Sequence, residues 1–288
     1  MSTTAPAGAP GSVIPVRRSQ PRLAHAVSDS LAMAGRNIRR ILRAPDQVMF
    51  TLISPIMFTL LFRYVFGGAI SGLNGIGYAT YLIPGIAVQT AIFSAGTTGF
   101  ALADDLQKGF IDRLRSLPMA RSAVLTGRVV ADSMNNLIQV IILIAVGFAV
   151  GFRTHSVPGL VLGILLLLFF ALSTSFIFAL VGMSVSSVEA VNAATFPVVF
   201  PLTFASSAFV PTFTMPGWLR AFADHQPVSV LVNAVRSLVI GPIPKQARDQ
   251  LFAGQSTTSL VLQSLGWSVL LMVVFGYLAV RKYRALTI

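Results

Sequence analysis

Cysteine is absent from this 288-residue sequence, and charge is scarce: 10% of its residues are Asp, Glu, Lys or Arg, against about a quarter in soluble domains. The first absence excludes disulfides, thiolate zinc sites and thiol catalysis. The second, with 55% hydrophobic residues and a mean hydropathy of +0.78, makes lipid the solvent. Acidic residues number only 9 against 21 basic ones, a net charge of +12. The basic residues sit between apolar runs and form no continuous face, so topology explains them better than nucleic acid does.

Other chemistry is missing too. The three histidines, His25, His155 and His225, fall in tails or loops, and no Ser/His/Asp set or metal cluster forms around them. Gly72, Gly75 and Gly77 lack the spacing of a phosphate loop, and no Gly-Lys-Ser/Thr follows; a turn is the expected meaning. No span carries a carboxylate or histidine near its centre, as ion-coupled carriers often require, and no internal repeat is visible. The chain therefore has no energy source of its own. No cofactor is expected on it.

What is present is a series of apolar runs long enough to cross a bilayer, which takes roughly 20 helical residues. Six spans are expected, at about 47–66, 80–103, 122–151, 158–185, 193–210 and 260–280, within a permease domain of 44–284. Residues 1–21, rich in Ala, Pro, Gly, Ser and Thr, read as a disordered tail without a signal-peptide core. Residues 22–43 interleave Leu23, Val27, Leu31, Ile38, Ile41 and Leu42 with Arg36, Arg39, Arg40 and Arg43, the pattern of an interfacial helix. Between spans five and six, Val228, Leu231, Val232, Val235, Leu238 and Val239 make an apolar face too short to cross. Asn233 and Arg236 lie elsewhere on it, and a re-entrant or interfacial helix is expected. Six spans put fifteen of the 21 basic residues on one side, which the positive-inside rule makes cytoplasmic along with both termini, in the cell membrane.

Polar and aromatic faces mark candidate sites. Thr90, Ser94, Thr97 and Thr98 recur at helical spacing in the second span, as close helix packing or a substrate path would require. Arg128, Asp132, Asn136 and Gln139 share a face of the third, either a cavity lining or an interfacial ion pair of Arg128 with Asp132. Phe196, Phe200 and Phe204 form a stripe in the fifth, facing lipid, neighbours or an aromatic substrate. Between spans two and three, Leu106, Phe110, Leu114 and Leu117 line one face of a short charged helix with Asp105, Lys108, Asp112 and Arg115 elsewhere, ended by Pro118. Such a helix either anchors neighbouring spans or receives force from a soluble partner.

The stretch Asp105-Leu-Gln-Lys-Gly-Phe-Ile-Asp-Arg-Leu-Arg-Ser-Leu-Pro-Met-Ala-Arg121 resembles the cytoplasmic segment of type-2 ABC exporter permeases, with Gly109, Leu114, Leu117 and Pro118 at the matching places. Tyr64 to Gly68, Tyr81 to Gln89, and His225-Gln-Pro-Val-Ser229 with the helix to Arg236 resemble the daunorubicin-resistance permease branch. The resemblance implies a coupling helix at Asp104 to Pro118 gripped by an ATPase subunit through Asp104, Asp105, Leu106, Lys108, Gly109, Phe110, Asp112, Arg113, Leu114, Leu117 and Pro118. It also implies re-entrant helices at about Pro216 to Ile240. The acidic residue that many members carry before the coupling glycine is replaced here by Gln107 and Lys108.

Two ATPase subunits, a second permease, and ATP with Mg on the ATPase are the implied partners. The implied activity is export of drugs, lipids or glycolipids along a path touching Thr90, Ser94, Thr97, Asn136, Gln139, Phe196, Phe200 and Phe204. An ATP-independent carrier or channel and a membrane scaffold are the rival expectations.

Overall fold

The structure, a computed structural model, describes residues 45–68, 76–108 and 121–286. The tail of 1–21, the interfacial helix of 22–43 and the coupling residues Gly109 to Pro118 lie outside the described residues. Among the described residues every regular element is helical. The helices are α1 (Pro45–Leu61, prolonged by a π-turn at Phe62–Phe66), α2 (Tyr78–Gln107), α3 (Arg121–Ala149), α4 (Val157–Gly182), α5 (Val188–Phe204), α6 (Gly217–His225), α7 (Pro227–Ile240), α8 (Lys245–Phe252) and α9 (Thr257–Leu286). By length and composition, four segments are apolar enough to cross a membrane: Tyr78–Gln107, Asp132–Ala149, Val157–Gly182 and the stretch Lys245–Tyr283 that contains α9.

The starts of these helices follow from local chemistry. Ser156 accepts the Gly159 N–H at 3.1 Å with Pro158 in the first turn, and Ser187 accepts the Ala190 N–H at 3.1 Å. The Ser187 cap moves the start of α5 five residues earlier than expected, so Glu189 and Asn192 belong to its first turns and not to a linker. Glu189 suits that place because an acid opposes the positive end of the helix dipole. The far end of α5 comes earlier as well, at Phe204, where Ala205 leaves helical geometry. Likewise α2 runs through Asp104 to Gln107, so the expected coupling helix does not begin at Asp104; these residues are the last turn of α2.

α2 and α4 form the centre, parallel and in extensive contact, with α3, α7 and α9 packed around them. At one end of α2 a Cβ on Gly182 would collide with the Gly99 carbonyl oxygen, so the two backbones touch there. Leu102, Ala179, Met183, Ala279 and Tyr283 close that end into a small apolar cluster. At the other end Tyr81, Ile83, Phe152, Val235, Leu251, Phe252 and Leu260 belong to the main core. α7 is the correction to the interfacial alternative. Residues 228–237 are buried on every side, because α7 packs simultaneously on α2, α4 and α9.

Gly182→Ala is expected to lower the unfolding midpoint in detergent, by the overpacking cost of about 1–3 kcal/mol. Gly276→Ala, whose Cβ would meet only Phe176 ring atoms at 3.9 and 4.0 Å, is expected to leave it unchanged or higher. Equal midpoints for the two variants would contradict the backbone contact between α2 and α4.

Candidate functional site

The polar residues singled out in α2 turn mostly inward. Thr90 is buried and donates to the Ile86 carbonyl of its own helix at 2.8 Å; Ser94 is buried nearby. Thr97 is exposed and donates to the Ser94 carbonyl at 2.6 Å. Thr98, fully buried, donates to Asp132 Oδ2 at 2.7 Å, joining α2 to α3. Asn136 continues that seam by donating to the Ala91 carbonyl at 3.2 Å, with Gln139 buried a turn beyond it. The Oδ1 of Asn136 is buried without a partner. The side chain of Arg128, the expected partner of Asp132, lies outside the described residues.

The aromatic stripe is real and longer than three residues. Phe196 stacks on Phe200 at 5.1 Å between centroids, Phe200 on Phe204 at 4.2 Å, Phe204 on Phe209 at 5.0 Å, and Phe209 on Phe62 of the π-turn at 4.6 Å. This ribbon carries aromatic surface from α5 across to α1, with Phe196 at 50% and Phe200 at 39% exposure. α5 itself is thinly packed. Only Val191, Thr195 and Thr203 are buried, one stripe at helical spacing against α2 and α4. Pro197 and Pro201 have no N–H, so the carbonyls of Ala193 and Pro197 lose their usual donors. Ala193 and Pro197 lie on the side opposite the packed stripe, and both are exposed.

At the start of the coupling segment, Asp104 pairs with Lys108 at 2.7 Å on an exposed surface, a contact of at most about 1 kcal/mol. Leu106 packs partly buried against the Leu102 cluster. Gln107 donates to the Ser186 carbonyl at 2.8 Å, linking the end of α2 to the turn before α5.

The most organised polar site is one the sequence reading did not assign. Arg236, which the sequence places off the apolar face of this helix, is 0% exposed within α7. Its Nε donates to the Tyr81 carbonyl at 3.0 Å, one terminal nitrogen to Asn233 Oδ1 at 2.9 Å, and the other to the Ser207 carbonyl at 2.9 Å. Its guanidinium carbon lies 3.6 Å from the Tyr81 ring centroid. Tyr81 Oη donates to the same Ser207 carbonyl at 2.8 Å and Tyr78 Oη to the Phe209 carbonyl at 3.1 Å. Ser207 in turn donates through Oγ to Asn233 at 2.9 Å and through N–H to Ser229 Oγ at 3.0 Å. Gln226 closes the circuit on the Leu202 carbonyl at 3.0 Å. Gly85 of α2 leaves room for all this, since a Cβ there would collide with the Ala208 carbonyl oxygen.

All three acceptors of the Arg236 cation are neutral oxygens. Burying such an ion costs several kcal/mol. Three hydrogen bonds from a charged donor return about 1.5–3 kcal/mol each. A desolvated cation–π contact adds about 2 kcal/mol. Each of the three guanidinium nitrogens has an acceptor. The available sequence signal was the placement of Asn233 and Arg236 three residues apart in a short apolar helix, where a solvated charge has no reason to sit.

Comparison with known proteins adds a family match. The model for ABC-2 type transporters matches residues 29–240. The chain is 34% identical over 267 residues to the daunorubicin resistance ABC transporter permease protein DrrB1 of Streptomyces coeruleorubidus, covering 92% of this chain and 89% of the relative. It is 26% identical over 224 residues to the probable doxorubicin resistance ABC transporter permease protein DrrC of Mycobacterium tuberculosis, covering 75% and 78%. The doxorubicin resistance permease DrrB of that species is similar at 27% over 201 residues, covering 67% and 69%.

Arg236→Met and Arg236→Lys are both expected to lower the unfolding midpoint of the purified chain in detergent. The Lys variant should recover less than half of the loss, because a point ammonium cannot reach the Tyr81 and Ser207 carbonyls in the geometry of a planar fork. A Lys variant as stable as the native chain would show that charge alone, without the fork, holds the site.

Proposed function

Because the chain belongs to the ABC-2 type transporter family, we propose that it is the permease subunit of an exporter for hydrophobic or amphiphilic compounds, with anthracycline-like drugs as the first class to test. The family implies a membrane-embedded subunit working with a separate ATPase. Two ATPase copies take ATP and Mg, and a second permease completes the pathway. In this reading six helices cross the cell membrane: α1 with its π-turn, α2, α3, α4, α5 and α9. Both termini and the end of α2 are cytoplasmic, and α6 and α7 form the re-entrant pair near the opposite face. The ATPase grips the segment from Asp104 to Pro118.

The observation that carries the reading is α5. A helix with two prolines and two freed carbonyls opposite its packed stripe is costly against hydrocarbon, where nothing donates to them. Water in a pathway or a second permease satisfies them. The neighbouring Phe196, Phe200 and Phe204 offer flat apolar surface to a planar polycyclic cargo. Thr97, exposed in α2, belongs to the same proposed path. Thr90, Ser94, Asn136 and Gln139 are buried between helices of one chain, so their contact with cargo requires that the α2–α3 seam open during the cycle.

Leu114→Asp with Leu117→Asp is expected to abolish co-purification with the cognate ATPase and to remove ATP hydrolysis by the complex, while the chain stays folded in detergent. A variant complex that assembles and hydrolyses ATP at the native rate would overturn the coupling assignment. Phe196→Ala with Phe200→Ala is expected to cut ATP-driven daunorubicin transport about tenfold and leave ATP hydrolysis within about twofold. Unchanged transport would remove the ribbon from the path.

A further inference from the structure

α5 is fixed at its two ends and thinly held between them. Its root follows α4 by a short turn, and α4 ends at Gly182, whose backbone rests on Gly99 of α2. Gln107 reaches across to the Ser186 carbonyl of that same turn. Its outer end runs into 205–210, which the Arg236 cluster ties to α2 and α7 through Ser207, while Tyr78 holds Phe209. Between these ends lie Pro197 and Pro201, each removing one rung of the helix ladder, on a surface left exposed among the described residues.

We propose that Arg236 is a positioning residue for transport: it keeps the outer end of α5 stationary on α2 and α7, so that the helix bends at Pro197 and Pro201 while both of its ends stay in place. The inference rests on the permease reading for what the bending serves. The alternative, an outer gate that opens by releasing Ser207 from Arg236, is disfavoured by the chemistry of the cluster. Release would strip a fully buried cation of a charged hydrogen bond and would orphan Tyr81 Oη at the same carbonyl. Bending at a proline breaks no bond, because the donors there are already missing.

The absence of native cysteine makes the test direct. Ser207→Cys with Ser229→Cys introduces two thiols at neighbouring residues of the cluster, whose Ser207 backbone N–H and Ser229 Oγ lie 3.0 Å apart. Reconstituted with the cognate ATPase and with daunorubicin as probe, the oxidised variant is expected to keep at least half the transport rate of its reduced form. Pro197→Ala with Pro201→Ala is expected to lose transport about tenfold with ATP hydrolysis within about twofold. Loss of transport on oxidation, restored by reductant, would overturn the proposal, since the outer end would then have to move. A second readout needs no cargo. A cysteine replacing exposed Val198 is expected to change its maleimide labelling rate at least about fivefold between ATP-bound and nucleotide-free complexes, and to lose that change in the double proline variant. No change in the background with native prolines would overturn the hinge. A wild-type complex that moves no daunorubicin yet shows the labelling change would sink the cargo class and support the hinge.

Discussion

A buried guanidinium whose three acceptors are all neutral oxygens constrains everything packed around it. Arg236 is tolerable in the centre of α7 only while the Tyr81 carbonyl, the Tyr81 ring, Asn233 and the Ser207 carbonyl all keep their places. Those acceptors come from three separate stretches of chain. One residue therefore sets the seating of a short helix, the far end of a 30-residue helix and the irregular stretch that follows α5. The close approach at Gly85 and the hydroxyls of Tyr78 and Tyr81 are consequences of that demand.

The long apolar helices were legible because their lengths and periodicity answer to a single variable, the thickness of hydrocarbon. α4 is the clearest case: its uncharged run predicts 158–185 and the helix occupies Val157–Gly182. α5 was displaced because a Ser187 cap and an acid in the first turn are local signals, easily outweighed by the hydropathy of the residues after Asn192. α7 resisted in a different way. Periodicity identifies which side of a helix is apolar, and so assigns Asn233 and Arg236 to the other side. It does not say that the other side is buried too, which depends on carbonyls supplied by Tyr81 and Ser207, 155 and 29 residues away.

The candidate path was legible in the same partial manner. The Phe196, Phe200 and Phe204 stripe appears from spacing alone, but its continuation through Phe209 to Phe62 needs two helices to meet. Thr90 and Ser94 look like a polar lining in sequence; in the fold Thr90 returns its hydroxyl to its own helix, and the α2 face meets α3 through Thr98 and Asn136. What distinguishes α5 is the combination of few buried residues with two missing backbone donors. Lipid is a poor environment for that combination and a wet path between two permeases is a good one.

The proposed placement of α5 on such a path has a direct consequence in the membrane. With Ala193→Cys on the exposed proline side of α5 and Val273→Cys on the exposed side of α9, disulfide formation between copies of the chain can be compared in native membranes under the same oxidant. The account requires a dimer band for Ala193→Cys and none for Val273→Cys. The reverse result, a dimer through α9 with Ala193→Cys remaining monomeric, would place α5 against lipid and contradict it.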